Sequence, residues 1–153
     1  MALKKHSVKI IGRREFVDLP ELNIFHTEAK IDTGAYTCAI HCKHIDLIKK
    51  EGTEILMVKF LDDSIFNFSD FTQKKIKSTS GEMEERYIIK TIFHIGRKKI
   101  NTTVSLTDRG GMRYPILIGR RLLKGKFIVD VNLIYTNGIK TQNNLSSITN
   151  NKK

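Results

Sequence analysis

Apolar residues along this chain come in short runs, each ended by Gly, Pro, Asp, Asn or Ser rather than sustained at helical spacing. Runs of that kind, rich in β-branched and aromatic residues, predict strands. Strands are predicted over Ser7 to Ile11, closed by Gly12, and over Ile24 to Asp32. A third is predicted over Glu54 to Leu61, where Asp62-Asp63-Ser64 makes a turn and Ser64 to Phe68 returns as a hairpin arm. Arg86 to Ile95 carries Tyr87, Ile88, Ile89, Ile92 and Phe93; Gly96-Arg97-Lys98-Lys99 turns it, and Ile100 to Leu106 comes back. Pro115 to Ile118 is an apolar strand ending at Gly119, and Gly119 to Lys124 is a helix of a turn or two, stopped by Gly125. Phe127 to Val131 is a last core strand. Many short strands and one short helix predict an all-β domain, a small closed barrel or a sandwich.

From Thr136 onward Asn, Ser, Thr and Lys take over, which predicts a folded domain over 1–135 and a flexible polar tail over 136–153. A chain of 153 residues is long enough for one such core and short for two. Its apolar runs are too short to cross a bilayer, and no apolar stretch follows the basic start, so no membrane association and a cytoplasmic location are expected. Cys38 and Cys42, four apart, make a poor disulfide framework and fit a reducing compartment. The net charge of +11 is spread over scattered basic pairs such as Arg13-Arg14, Lys74-Lys75 and Arg120-Arg121. Such a surface attracts polyanions: nucleic acid, a ribosome or an acidic polypeptide. No basic-aromatic stacking motif or helix-turn-helix is visible, so nucleic acid is not expected as the primary partner.

Within this β pattern, Ile31-Asp32-Thr33-Gly34-Ala35 ends an apolar run in a carboxylate followed at once by Thr-Gly. That is the signature of an aspartic peptidase turn. Two carboxylates held together retain one proton between them, so one acts as base on water while the other polarises a carbonyl. Gly34 permits a tight turn and close approach to a symmetry mate, and the Thr33 hydroxyl can bond across that axis. The chain holds the triplet once, so the second Asp32 must come from another copy. A homodimer is therefore expected.

Pro115-Ile116-Leu117-Ile118-Gly119-Arg120-Arg121-Leu122-Leu123, an apolar strand, a Gly and a short helix, resembles the segment that supports the catalytic turn in pepsin-like and retroviral peptidases. Further motifs resemble one bacterial group of that fold, commonly labelled ATP-dependent zinc proteases and found in company with RimK-type glutamate ligases. They are Ile11-Gly12-Arg13-Arg14-Glu15-Phe16 with Leu19-Pro20, Ala29 to Ala35, Lys77-Ser78-Thr79-Ser80-Gly81 with Glu85-Arg86, Arg113-Tyr114-Pro115 through Arg120, and Phe127 to Asp130. The resemblance, over roughly residues 8 to 131, implies a retropepsin-like closed barrel with one short C-terminal helix. It implies an aspartic endopeptidase with Asp32, Thr33 and Gly34 catalytic, and Ile118, Gly119 and Arg120 supporting the turn. It also implies a target: glutamates that the ligase adds to the C-terminus of a ribosomal protein.

The zinc and ATP of that label find little in the residues. No Gly-rich segment ends in Gly-Lys-Ser/Thr to cradle phosphates, and no paired-His helix carries an adjacent Glu. Cys38, His41, Cys42 and His44 have zinc-ligand residue types, but four ligands within positions 38 to 44 leave no loop to wrap an ion. The alternative is two small core cysteines with half-exposed histidines. No cofactor and no metal are expected. Retroviral enzymes carry an Asp four residues after the catalytic one as partner for the Arg that follows the supporting Gly; here that position is Tyr36, and Arg120 needs another partner. An acidic or glutamylated tail calls for guanidinium groups, which take carboxylates in paired hydrogen bonds. Candidates are Arg86 after the Ser-Gly loop, and Arg109 and Arg113 around Gly110-Gly111, with Ala35 lining the cleft. A second function class stays open: a retropepsin fold that binds acidic peptides or a ribosome without cutting.

Overall fold

The computed structural model describes residues 7–77, 80–108 and 110–137. In chain order these form β1 (Lys9–Ile11), β2 (Arg14–Leu19), β3 (Ile24–Ile31), β4 (Cys38–His41), β5 (His44–Lys50), β6 (Thr53–Lys59), β7 (Ile65–Phe68), β8 (Thr72–Lys77), β9 (Met83–Ile95), β10 (Lys98–Thr107), β11 (Ile116–Ile118), α1 (Arg120–Leu123) and β12 (Phe127–Val129). Each predicted strand and the predicted helix is present, with ends shifted by a few residues.

Four further strands had no clear apolar pattern. On β2 the buried face carries Glu15 beside Val17 and Leu19, so its alternation is masked by a charge. Strand β4 is four residues long and starts with a small side chain. Only Ile45 and Leu47 of β5 pack against the core, and β8 is a polar strand added to the edge of β9. Pairing partners, which no single strand encodes, hold all four.

Strands β10-β4-β11-β3-β2-β9 follow one another around a barrel that closes through the β9–β10 pairing, from Lys98↔Ile95 to Leu106↔Tyr87. The barrel interior is filled by alternate residues: Ile89 and Phe93 of β9, Val104 and Leu106 of β10, Ile40 of β4, and Ile116 and Ile118 of β11. Each such buried side chain contributes about 1.5–3 kcal/mol. The separate β5-β6-β7 meander adds Leu56 and Val58 to the same core, and Phe60 packs edge-on against Phe66 with ring centroids 5.5 Å apart. Strands β8 and β9 form a hairpin whose connection contains Ser80 and Gly81, the latter at φ 91. Ser78 and Thr79 of the same motif lie outside the described residues. Among the described residues no helix is long and apolar enough to cross a membrane.

After β12, which pairs in parallel with β1, the chain crosses Gly12 and runs back along the start of β2. Arg13 N donates to Leu133 O at 2.9 Å and Tyr135 N to Arg14 O at 2.8 Å. The Leu133 carbonyl occupies the space a Cβ would need at Gly12. Thr136 and Asn137, the first residues of the predicted polar tail, are tied to Glu15; 138–153 lie outside the described residues.

Candidate active site

Strands β3 and β4 are consecutive in sequence but not adjacent in the barrel, because β11 lies between them, parallel to β3 and antiparallel to β4. The 32–37 connection must therefore arch over the end of β11. Asp32 N donates to Ile118 O at 2.8 Å, Ala35 N to Asp32 O at 3.1 Å, and Gly34 N to Asp32 Oδ1 at 3.1 Å. The first amides of a helix lack intrahelical acceptors. Here Arg120 N donates to Ala35 O at 2.8 Å and Arg121 N to Tyr36 O at 2.9 Å, so the turn caps α1 and α1 holds the turn. A Cβ on Gly119 would lie 2.5 Å from Thr37 O, which explains a residue without a side chain at this corner.

Arg120 finds its partners in the turn itself. Its Nη1 donates to Thr33 O at 3.0 Å, and its guanidinium lies 5.7 Å from the centre of the Tyr36 ring. Tyr36 thus occupies the place of the expected Asp and still engages the same Arg, through a ring face worth about 0.5–1 kcal/mol. Ile118, Gly119 and Arg120 all touch the turn. Ile31, the last residue of β3, points into the barrel, while Ala39 of β4 and Leu117 of β11 are partly exposed. Asp32 and Ala35 are half-buried; Thr33 and Gly34 are exposed.

A groove of about 710 Å³ opens beside the turn, with Thr33, Tyr36, Leu123, Phe127 and Val129 along it and Arg120, Arg121 and Lys124 supplying positive charge. Arg121 and Lys124 were not among the predicted substrate residues; their place on and just after the short helix that follows the Gly119 corner was the available signal. A smaller apolar cavity of about 160 Å³, lined by Ile24, Phe25, Ile40, Phe60 and Leu61 among others, contains none of the predicted catalytic or substrate residues.

Two of the three predicted substrate cations, Arg86 and Arg113, lie among the described residues. Arg86, on β9, is half-buried and bonded to Glu84 and Ser105. Arg113 is exposed in the loop entering β11, five residues before Ile118 and so within roughly 18 Å of it. Arg109 lies outside the described residues. The Cys/His cluster is dispersed. Cys38 and Cys42 are buried, His41 is half-buried and His44 is exposed; among the described residues no three His, Cys, Asp or Glu side chains converge as metal ligands. Burial pushes the Cys38 thiol up to about 11 and that of Cys42 to about 12, which disfavours the thiolate a metal needs.

A closed six-stranded barrel, with one Asp-Thr-Gly turn seated on an apolar-Gly-Arg corner, defines the retropepsin-like aspartic peptidase class. The chain belongs to the RimB-like family, described as retropepsin-like aspartic endopeptidase RimB, which it matches over residues 10–140. That family is one of aspartic-type hydrolases. The chain is 32% identical over 130 residues to a probable alpha-L-glutamate ligase of Shewanella halifaxensis, covering 79% of this chain and 28% of that protein. A protein of the same description from Desulfotalea psychrophila is 29% identical over 129 residues, with 80% and 28% covered. The chain thus spans less than a third of the length of these curated relatives. A crystal structure of a protein of unknown function from Legionella pneumophila matches with a TM-score of 0.67 and 28% identity, over 86% of this chain and 99% of that one.

Proposed function

We propose that this chain acts as a homodimer in which Asp32 of each copy forms the catalytic dyad, and that it removes glutamate residues from an acidic or glutamylated C-terminal tail, that of a ribosomal protein. The observation that carries the reading is the single Asp32 turn. Its backbone is pinned to Ile118, Arg120 and Arg121, and its carboxylate accepts from Gly34 N of its own turn. Water activation by an aspartic peptidase takes two carboxylates, and a second copy of the chain supplies the other.

One Asp32 then takes a proton from the bridging water, which attacks the scissile carbonyl. The other, protonated, donates to the carbonyl oxygen, and the resulting diol collapses as the leaving amine is protonated. Support for an acidic substrate comes from the +11 charge, from the guanidinium of Arg86 at the base of the β8–β9 hairpin, and from relatives named for glutamate ligation that contain a segment like this chain. The cytoplasm is the compartment this substrate implies.

The test is mass spectrometry of a peptide ending in several glutamates, incubated with wild type or Asp32→Asn, with and without EDTA. Loss of glutamates with wild type alone, unaffected by EDTA, is expected, with a fall of at least a thousandfold in the variant. Cleavage that survives in Asp32→Asn sinks the dyad. Cleavage abolished by EDTA returns the chemistry to a metal, and binding without turnover in every tube installs a binding module instead.

A further inference from the structure

Two grooves meet at Arg121. The first is the groove beside the Asp32 turn, to which Arg120, Arg121 and Lys124 bring positive charge. The second, of about 370 Å³, lies between α1 and the β9–β10 pair, and Lys90, Arg121 and Lys126 line it. Hydrogen bonds and register join the two. Arg120 Nη1 donates to Thr33 O at 3.0 Å, Arg121 Nη1 donates to Thr103 Oγ1 at 3.3 Å, and Thr103 pairs with Lys90 across β10 and β9. The cations therefore step from the Asp32 turn, over α1, to the barrel wall.

Among the described residues, neither groove is lined by an Asp or a Glu, and no carboxylate pairs with any of these cations. Elsewhere the chain does pair its charges: Arg14 with Glu28, Lys49 with Glu54, and Lys43 and Lys59 with Asp63. Like charges gathered without a counter-charge repel, and an anion that enters relieves that repulsion. Single-stranded nucleic acid binds along cations interleaved with open aromatic faces. The aromatic residues lining these grooves are Tyr36, whose ring already carries the Arg120 guanidinium, and Phe127, which is buried. Carboxylates need only the guanidinium and ammonium donors.

We propose that Arg121, Lys124, Lys126 and Lys90 form a track that holds the acidic stretch of the polypeptide substrate, away from the bond that is cut. This rests on the acidic-substrate reading above and says where on the molecule that stretch is held. Arg120, bonded to the exposed Thr33, marks the end of the track nearest the Asp32 turn. Each glutamate of the stretch meets a cation that no described carboxylate neutralises, so affinity rises with the number of glutamates. Binding energy gathered at a distance brings the scissile bond to Asp32. A neutral peptide of the same length gains nothing from the track.

The experiment uses full-length chain carrying Asp32→Asn, so that nothing is cut, and reads binding of labelled hexaglutamate and hexaglutamine by fluorescence anisotropy at fixed salt. One groove variant adds Arg121→Gln with Lys124→Gln, and a second adds Lys90→Gln with Lys126→Gln. The control adds Lys49→Gln with Lys50→Gln, which removes the same charge from β5 of the separate meander. Each groove variant is expected to weaken hexaglutamate about tenfold and the control less than twofold, with hexaglutamine unchanged throughout. Two groove variants that share no residue keep the result from resting on one that folds poorly. Equal losses in groove and control variants reduce the effect to net charge and overturn the proposal. Hexaglutamate binding unchanged in both groove variants overturns it as well. So does an oligouridylate of equal charge that outbinds hexaglutamate and is lost in the groove variants, which assigns the track to nucleic acid. A background with no preference for hexaglutamate overturns the acidic-substrate reading itself, and the track with it. Loss of cleavage on Asp32→Asn judges the dyad separately.

Discussion

Burial sets the chemistry of the two thiols. Both are raised from an ordinary value of 9.0, Cys38 to about 11 and Cys42 to about 12, mainly because the thiolate would lose its hydration. A group whose pKa is raised by folding stabilises the fold below its unfolded value and loses that contribution as pH climbs through the folded one. Thermal stability should therefore fall steeply between pH 9 and about 12, and the fall should be shallower in Cys42→Ala, whatever its lower starting point. Iodoacetamide at pH 8 should label neither cysteine until urea is added; rapid labelling of the native chain would show the thiols accessible. The residue types of Cys38, His41, Cys42 and His44 fit ligands or core equally well. Alternation along β4, with Cys38 and Ile40 turned inward, is what separates them. Asp32 was readable because its neighbours in sequence are also its neighbours in space; the partners of Arg120 were not, since Thr33 and Tyr36 meet it only through the β3–β11 pairing.

Strand β2 shows the same limit in a longer element. Glu15 is fully buried, and its two oxygens accept from Gly12 N, Thr136 N, the Thr136 hydroxyl, Asn137 N and Asn137 Nδ2. A charge on the apolar face hides the strand from pattern reading, yet it ties the last described segment to the barrel. Tyr135 adds a stack on Phe16 at 4.5 Å, with its hydroxyl donated to Glu28. Replacing Glu15 by Ala leaves the buried Gly12 amide and the part-buried amides of Thr136 and Asn137 without this acceptor and should cost about 3 kcal/mol, lowering Tm by on the order of 10 °C. Hydrogen exchange at Thr136 and Asn137 should accelerate with it. If those amides stay protected, the 130–137 segment is held by its aromatic and backbone contacts instead.

At the level of the assembled molecule, the proposed dyad of two chains would place the symmetry axis beside Asp32. The outer face of the β1–β12 pair carries an apolar strip: Ile10 and Ile128, in register, are 57% and 58% exposed, with Val8 at 48%. Burying that strip against a second copy removes apolar surface from water, at about 25 cal/mol per Å². Wild-type chains mixed with an excess of Asp32→Asn should accordingly lose more activity than dilution explains, since most dimers would hold one carboxylate of the pair. Activity that tracks wild-type concentration alone would mean that one copy suffices.

Local order could be read along the chain. Strand-forming runs, the turn residues between them, the Gly119 corner and the Asp32-Thr33-Gly34 turn all depend on neighbours a few positions away, and periodicity, backbone freedom and residue chemistry report such neighbours directly. Threading β11 between β3 and β4, capping α1 on the Asp32 turn, locking Thr136 and Asn137 onto Glu15, and bringing Arg86 to Ser105 required the closed barrel. Those contacts join segments whose proximity comes from strand order and register, and no local pattern carries that information.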